Sequence, residues 1–504
     1  MIKQRHLKIS VENFGPIRSG EFELKPLTIF IGANNSGKSY LALLVYTLLK
    51  TLYGRFHRSF PFRQTLYRIR PSNELDFGEF SGELVNFFES GISAKEARRE
   101  NLVFVNLPAN VQQVLKESLE KHLSALKVDL DETIRDYYGC EDLHALIHNE
   151  DLLGTLSIRL NEWNESPPFL RLDLGSGEES TRLQWASLNL ADFRTPLSQI
   201  MRNLPMRTQM GRDWEWVLAT SLQEMLWTQL LEANGIFTRE AYYLPSARSG
   251  ILQGWQVFAS MAVQIVRRRL GLERIDVPPL TGVAGDFLQV LWERLLPRPE
   301  RREAPRMRAA LEILEGQIFR GEISLQGARQ ERPLMVYKSG SLQLPLQRVS
   351  SMVGELAPLD LWIKHLLSSG DLLIIDEPEA HLHPENQRRI ARVLVRLLRA
   401  GVRILCTTHS PLILHQVSNH LLASEADPKV RAKLGFTEDD LLRHDDISAY
   451  LFDIDGDGTY VKPIPIEAGF GISEEEFVKV AEAIGDETYR LSLQPAGRSR
   501  KRLR

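Results

Sequence analysis

One stretch constrains this chain more than any other: Leu27-Thr28-Ile29-Phe30-Ile31-Gly32-Ala33-Asn34-Asn35-Ser36-Gly37-Lys38-Ser39, followed by the apolar run Leu41–Val45. It reads as a buried strand, a G-x-x-x-x-G-K-S loop and a helix start, which is the context a phosphate-binding loop requires. Gly32 and Gly37 let successive N–H groups of Asn34, Asn35 and Ser36 curl around phosphate oxygens. The helix that opens near Lys38 adds its positive end, Lys38 can reach the β- and γ-phosphates, and Ser39 can ligate Mg²⁺. The expectation is a chain that binds a nucleoside triphosphate with Mg²⁺ as cofactor.

Composition bounds the rest. A length of 504 residues gives about three domains, or one large domain with an insertion. Apolar content of 43% and charge of 25% are ordinary for a globular protein, and a net charge of −3 offers no global attraction to nucleic acid or anionic lipid. The two cysteines, Cys140 and Cys406, are far apart and lack metal-ligand spacing. No apolar run approaches the roughly 20 residues of a membrane-spanning helix. Met1–His6 is charged and lacks the apolar core of a signal peptide. These features predict a cytoplasmic protein with no membrane association.

Alternation predicts a small β-meander over residues 5–31, turning at Asn13-Phe14-Gly15-Pro16, and a helix from Lys38 to about Tyr53. An amphipathic helix is expected around 108–127, strands at Leu156–Leu160 and Phe169–Leu174, and a helix over Trp214–Ala233. Ala241–Leu244 reads as a strand ending in a small-residue turn. Helical patterns at 251–270, 281–296 and 306–319 and strands at 322–325, 333–337 and 342–346 come next. The domain reading is an N-terminal lobe (1–53), a mostly helical insertion or arm (54–240), a C-terminal lobe (241–455), and a closing strand, helix and basic tail (456–504).

Leu372-Leu373-Ile374-Ile375-Asp376-Glu377 is a buried strand with two carboxylates at its C-terminal end, where open α/β sheets bind ligands. Asp376 suits Mg²⁺, and Glu377 suits polarisation of an attacking water. After the helix Pro384–Arg399, the strand Val402–Thr408 ends at His409, placed to bond a γ-phosphate. Ahead of the acidic strand, Ser350 or Ser351 can cap a helix, with Gly354 giving close backbone access; the pattern fits an anion-presenting helix start and also a plain cap.

Together these residues resemble the ABC-type ATPase head. Gly32–Ser39 matches its Walker A loop, Leu372–Glu377 its Walker B strand with the catalytic glutamate, and His409 its switch histidine. Ser350–Glu355 looks like a degenerate signature motif. The fold class implied is α/β, an ABC-type P-loop NTPase head with an N-terminal antiparallel β-subdomain and a mostly helical insertion. The resemblance implies ATP as the nucleotide. It also implies a homodimer, or a higher homo-oligomer, that sandwiches ATP, with Ser350, Ser351 and Gly354 closing on nucleotide held by the other copy.

Within that superfamily the chain resembles the prokaryotic OLD-like AAA family ATPases, cousins of RecF and of the SMC heads. The matching text is Ile9–Ile17, Leu244–Arg248, Ser350–Val353, Glu377–Pro384 and Thr407–Ser410. Ala380–Pro384 corresponds to the D-loop, and Gln64 is the positional candidate for the glutamine loop. The resemblance implies an ATP-dependent switch that acts with a protein effector in trans, in anti-phage defence. A RecF-like DNA-binding ATPase in repair is the alternative it leaves open. Basic segments at 55–70, 267–269 and 298–308 could face DNA or serve as solvated surface.

Other classes fit less well. A signature reading Ser-Ser-Met-Val-Gly-Glu and the long insertion depart from transporter ATPases, and no Asn-Lys-x-Asp run suits a GTPase. Asp453-Ile454-Asp455-Gly456-Asp457 could hold a metal or form a hairpin turn between alternating strands, and the turn is favoured. No nuclease centre is recognised.

Overall fold

The computed structural model describes residues 7–59, 109–148, 154–160, 170–174, 181–185, 239–252, 254, 282–291, 305–326, 334–456 and 458–493. The expected helix over Trp214–Ala233, most of that at 251–270, the two ends of that at 281–296, Gln64 and the basic residues at 267–269 lie outside them.

Strands β1 (Leu7–Phe14), β2 (Ile17–Leu24) and β3 (Leu27–Gly32) form the expected meander. Gly15, at φ +52°, makes the β1–β2 turn, and any Cβ there would enter the Tyr40 ring at 2.2 Å. Helix α1 (Lys38–Ser59) leaves β3 through the glycine loop and runs past Tyr53. Helix α2 (Ala109–Tyr138) also outlasts its expected end, because Leu126, Leu130, Ile134 and Tyr137 continue the helical spacing and bury against α1.

Among the described residues, the segment 54–240 is partly sheet. Strands β4 (Gly154–Leu160), β5 (Leu170–Leu174) and β6 (Thr181–Trp185) pair antiparallel onto the free edge of β1. That pairing satisfies the edge and builds this part directly onto the head.

The C-terminal half supplies β7 (Ala241–Leu244), helix α3 (Gly282–Val290), and a short helix α4 (Arg308–Ile313). Where one helix is expected over 306–319, α4 widens into a π-helical turn, Leu314–Phe319, closed by Arg320 at φ +53°. A three-stranded sheet comes next, β8 (Glu322–Gln326), β9 (Leu334–Ser339) and β10 (Leu342–Pro345). Then come α5 (Ser351–His365), β11 (Leu372–Asp376), α6 (Pro384–Arg399), β12 (Arg403–Thr408) and α7 (Pro411–Glu425). The chain closes through α8 (Pro428–Lys433), β13 (Ile447–Asp455), β14 (Gly458–Pro463) and α9 (Glu475–Ser492). The β13–β14 hairpin occupies the acidic run, and Asp453 pairs with Lys462 at 2.5 Å. Among the described residues, no group of three acidic, histidine or cysteine side chains could hold a metal ion.

The described strands assemble one eleven-stranded sheet in the order β6-β5-β4-β1-β2-β14-β13-β3-β12-β11-β7. Strands β13, β3, β12, β11 and β7 are mutually parallel, so their C-terminal ends share one edge. Alternation splits the core in two. Leu372, Ile374, Leu405 and Phe30 face α1 and α2, whereas Leu373, Ile375, Ile404 and Ile29 face α5, α6 and α7. Leu372–Ile375 are wholly buried, as a strand covered on both faces should be, and each contributes about 2 kcal/mol. No described helix is long and apolar enough to cross a membrane.

A buried polar cluster ties α6 and α7 to the loop after α8. Asp440 accepts from the guanidinium groups of Arg392 and Arg396, which hold its carboxyl well below the usual range. His420 lies fully buried beside them, bonds the Asp440 carbonyl at 2.6 Å, and faces Gln416 and Phe436. Burial lowers its pKa to about 4. The imidazole therefore stays neutral in the fold while the unfolded chain takes up a proton below about pH 6.5, so the contribution of His420 to stability falls between pH 6.5 and 4. From pH 7.5 to 5 that loss should be about 2 kcal/mol, and His420→Gln should remove it from urea unfolding curves measured at the two pH values. An unchanged pH slope in the variant would show that His420 does not carry the effect.

Candidate active site

Four parallel strands deliver the candidate residues to one edge: β3 leads to Gly32, β11 to Asp376 and Glu377, β12 to Thr408 and His409, and β7 to Pro245–Arg248. The loop after β3 is shaped by backbone conformation. Gly32 has φ +151°, Asn35 +61° and Gly37 +92°. A Cβ at Gly32 would lie 2.6 Å from the Phe452 carbonyl, and one at Gly37 would lie 2.7 Å from Pro16. Both glycines are therefore demanded by space as well as by φ. Ala33, Asn34, Asn35 and Ser39 are exposed, whereas Ser36 and Lys38 are buried.

The Lys38 ammonium is threaded back through this loop. It donates to the carbonyls of Gly32 and Ala33, at 3.1 and 2.6 Å, and to Ser36 Oγ at 3.3 Å. Burial lowers its pKa to about 8, partly offset by Glu377, Asp376 and Glu379 nearby.

Asp376 is almost completely buried at the end of β11. Tyr243 Oη donates to its Oδ2 at 2.5 Å and Thr407 Oγ1 to its Oδ1 at 2.8 Å, and the Ser39 side chain bonds it as well. Burial pushes the carboxyl up, and these donors and the Arg248 guanidinium pull it back. A hydroxyl and a carboxylate facing each other form an oxygen donor set that fits a hard divalent cation such as Mg²⁺.

Glu377 is half-exposed and sits in the left-handed region at φ +44°, unusual for a residue with a side chain. Its N–H donates to the Thr407 carbonyl at 3.0 Å. Its Oε1 lies 3.8 Å from His409 Nε2. His409 also bonds the Gly32 backbone, and burial together with the Lys38 charge lowers its pKa, keeping the ring neutral at physiological pH. Its own N–H is held by Glu379 Oε1 at 2.7 Å, which also accepts from Thr408 Oγ1 at 2.7 Å. Ser410 caps α7 and Pro411 opens it, which ends the loop carrying His409.

Lys38, Ser39, Asp376, Glu377 and His409 are thus brought together. Ser350 and Ser351 are exposed at the start of α5, where Ser350 Oγ accepts from Val353 N at 3.5 Å. Among the described contacts neither serine bonds residues 32–39. Gly354 is buried one turn in, and a Cβ there would lie 3.3 Å from Ser249, so its smallness serves packing of α5. His383 caps α6 through Nδ1 within the Ala380–Pro384 loop.

The linear sequence gives no role to Tyr243, Arg248 or Glu379. Tyr243 is one aromatic in a strand, and Glu379 one acidic residue among several. Arg248 is fully buried, and in the sequence it stands only as the last residue of the Leu244–Arg248 stretch that carries the resemblance, with no role attached.

A glycine-rich loop, an acidic strand end and a histidine thus share one edge of a parallel α/β sheet. Residues 7–166 match the family model described as AAA ATPase domain, and residues 334–415 match that described as "AAA domain, putative AbiEii toxin, Type IV TA system". Both matches are to AAA-type ATPase models, each over less than half of the chain. No curated protein matches the chain. Similar solved structures include the SMC head domain from Thermotoga maritima, at 12% identity and TM-score 0.33, covering 92% of this chain and 100% of that one. Another is an SMC head with an extended coiled coil bound to the C-terminal domain of ScpA, derived from Pyrococcus furiosus, at 11% identity and TM-score 0.34, covering 95% and 100%.

The left-handed conformation at Asn35 yields a direct test. Asn35→Gly should leave ATP affinity within about twofold, whereas Asn35→Val, β-branched at positive φ, should weaken it by about 10- to 100-fold. Equilibrium binding of a fluorescent ATP analogue distinguishes these, and equal affinities would show that the loop does not hold this shape when it binds.

Proposed function

We propose that this chain binds and hydrolyses ATP with Mg²⁺, dimerises around the nucleotide and acts as a switch for a protein effector. The observation that carries it is the meeting of Lys38, Ser39, Asp376, Glu377 and His409 at the C-terminal ends of β3, β11 and β12. The triphosphate would lie in the Gly32–Ser39 cradle, against the N–H groups of the loop and the start of α1, with Lys38 turning from the loop carbonyls to the β- and γ-phosphates. Ser39 and Asp376 would hold Mg²⁺, which supplies charge neutralisation across the phosphates.

Glu377 orients the attacking water and accepts its proton, and its partial exposure leaves room for that water. His409, neutral and 3.8 Å from Glu377, presents its ring to the γ-phosphate side of the same space. The exposed Ser350 and Ser351, with the N-terminal end of α5, would close on nucleotide held by a second copy. Support for a defence role comes from the family match over 334–415, whose description names a putative toxin of a toxin–antitoxin system, and from the OLD-like text around Glu377–Pro384.

Glu377→Gln keeps the shape of the site and removes the base. In that variant ATP with Mg²⁺ should convert the chain from monomer to dimer in light scattering, and steady-state hydrolysis should fall by about 100-fold or more. A variant that stays monomeric with saturating ATP would refute the sandwich. Hydrolysis at the native rate would refute the role of Glu377.

A further inference from the structure

Arg248 is among the largest wholly buried side chains, yet it carries a full charge. Its guanidinium is spent almost entirely on backbone carbonyls. Nη1 donates to Pro245 O at 2.9 Å and to Asp376 O at 2.7 Å, Nη2 to Glu377 O at 3.3 Å, and Nε to Glu355 O at 2.9 Å. The Glu355 carboxylate pairs with Nε at 3.3 Å and accepts from Ser249 N–H and Oγ. Burial pulls the guanidinium pKa down, and Glu355 and Asp376 raise it again.

Two of those carbonyls belong to the residues with the most demanding positions in the site. Glu377 holds a left-handed backbone that costs about 1–3 kcal/mol, so something must over-determine it. Thr407 grips its N–H from β12, and Arg248 grips its C=O from the far side. Glu355 lies one turn into α5, whose exposed start carries Ser350 and Ser351.

We propose that Arg248 is a positioning residue: it fixes the pose of Glu377 and, through Glu355, ties that pose to the helix that carries the exposed serines. The planar fork is needed because its three nitrogens serve four carbonyls and a carboxylate at once, which an ammonium cannot. Movement of α5 on meeting a second copy would reach Glu377 through this one side chain. The inference rests on Glu377 acting on the attacking water, as read above.

The test uses the full chain with Arg248→Lys and Glu355→Gln. Amide exchange read by mass spectrometry covers Glu377, Ala380 and Leu382, whose N–H groups are bonded to Thr407 O, Glu377 O and Glu379 O. In Arg248→Lys, exchange across 377–382 should quicken by about tenfold or more while β11 and β12 stay protected. The kcat should fall by about tenfold or more with KM for ATP held within about threefold. Glu355→Gln should move both readouts in the same direction by less, and it decides the matter if Arg248→Lys does not fold. Native exchange and native kcat in folded variants overturn the proposal. Loss of protection spread over β11 and β12 also overturns it, because that marks a role in stability alone. If Glu377→Gln hydrolyses ATP normally, the reading of Glu377 fails instead, and the exchange data still report on Arg248.

Discussion

Everything in the candidate site depends on the parallel register of four strands. Ile31 pairs with Thr408, Asp376 with Thr407, and Ile375 with Leu244. The chain therefore leaves β3, β12, β11 and β7 at one level, and the loops that leave these four strands meet one another there. Parallel strands buried on both faces cannot slip by one residue without turning a whole apolar set toward the wrong layer. Register is fixed by the core, and the site inherits its precision from the core.

That edge gathers charge where water is scarce. Asp376, Glu379, Lys38 and Arg248 are all largely buried within one neighbourhood, and each has its pKa displaced by burial and partly restored by neighbouring charges or hydrogen bonds. Such an arrangement is costly for stability alone, since buried pairs seldom outperform apolar packing. It is readily understood as preorganised chemistry, with dipoles and charges fixed before the triphosphate arrives. Three of the five described non-glycine residues at positive φ, Asn35, Glu377 and His381, lie in the loops that follow β3 and β11.

Much of this was legible in the linear chain. The glycine loop, the acidic strand end and His409 could be read because each is a local pattern with a mechanical reason. Helix Pro384–Arg399 could be read to its ends, since a histidine–proline start and an alanine–glycine stop bracket a clear apolar stripe. Features that depend on partners distant in sequence could not be read. Arg248 meets Glu355 across 107 residues and Asp376 across 128. The split of the 306–319 helix comes from packing between α4, its π turn and α6, which local spacing does not encode. Strands β4 and β5 could be read locally, but their pairing onto the free edge of β1 could not, and the polar β6 does not announce itself.

The central claim is a site shared between two copies, with Lys38 from one and Ser351 from the other. It is tested most directly by mixing two folded variants that should each be inactive, Lys38→Met and Ser351→Arg. A mixed dimer holds one intact site, made from Lys38 of the Ser351→Arg copy and Ser351 of the Lys38→Met copy. Recovery of ATP hydrolysis on mixing would establish the shared site. Two variants that are inactive alone and stay inactive when mixed, although they form a mixed dimer, would contradict it.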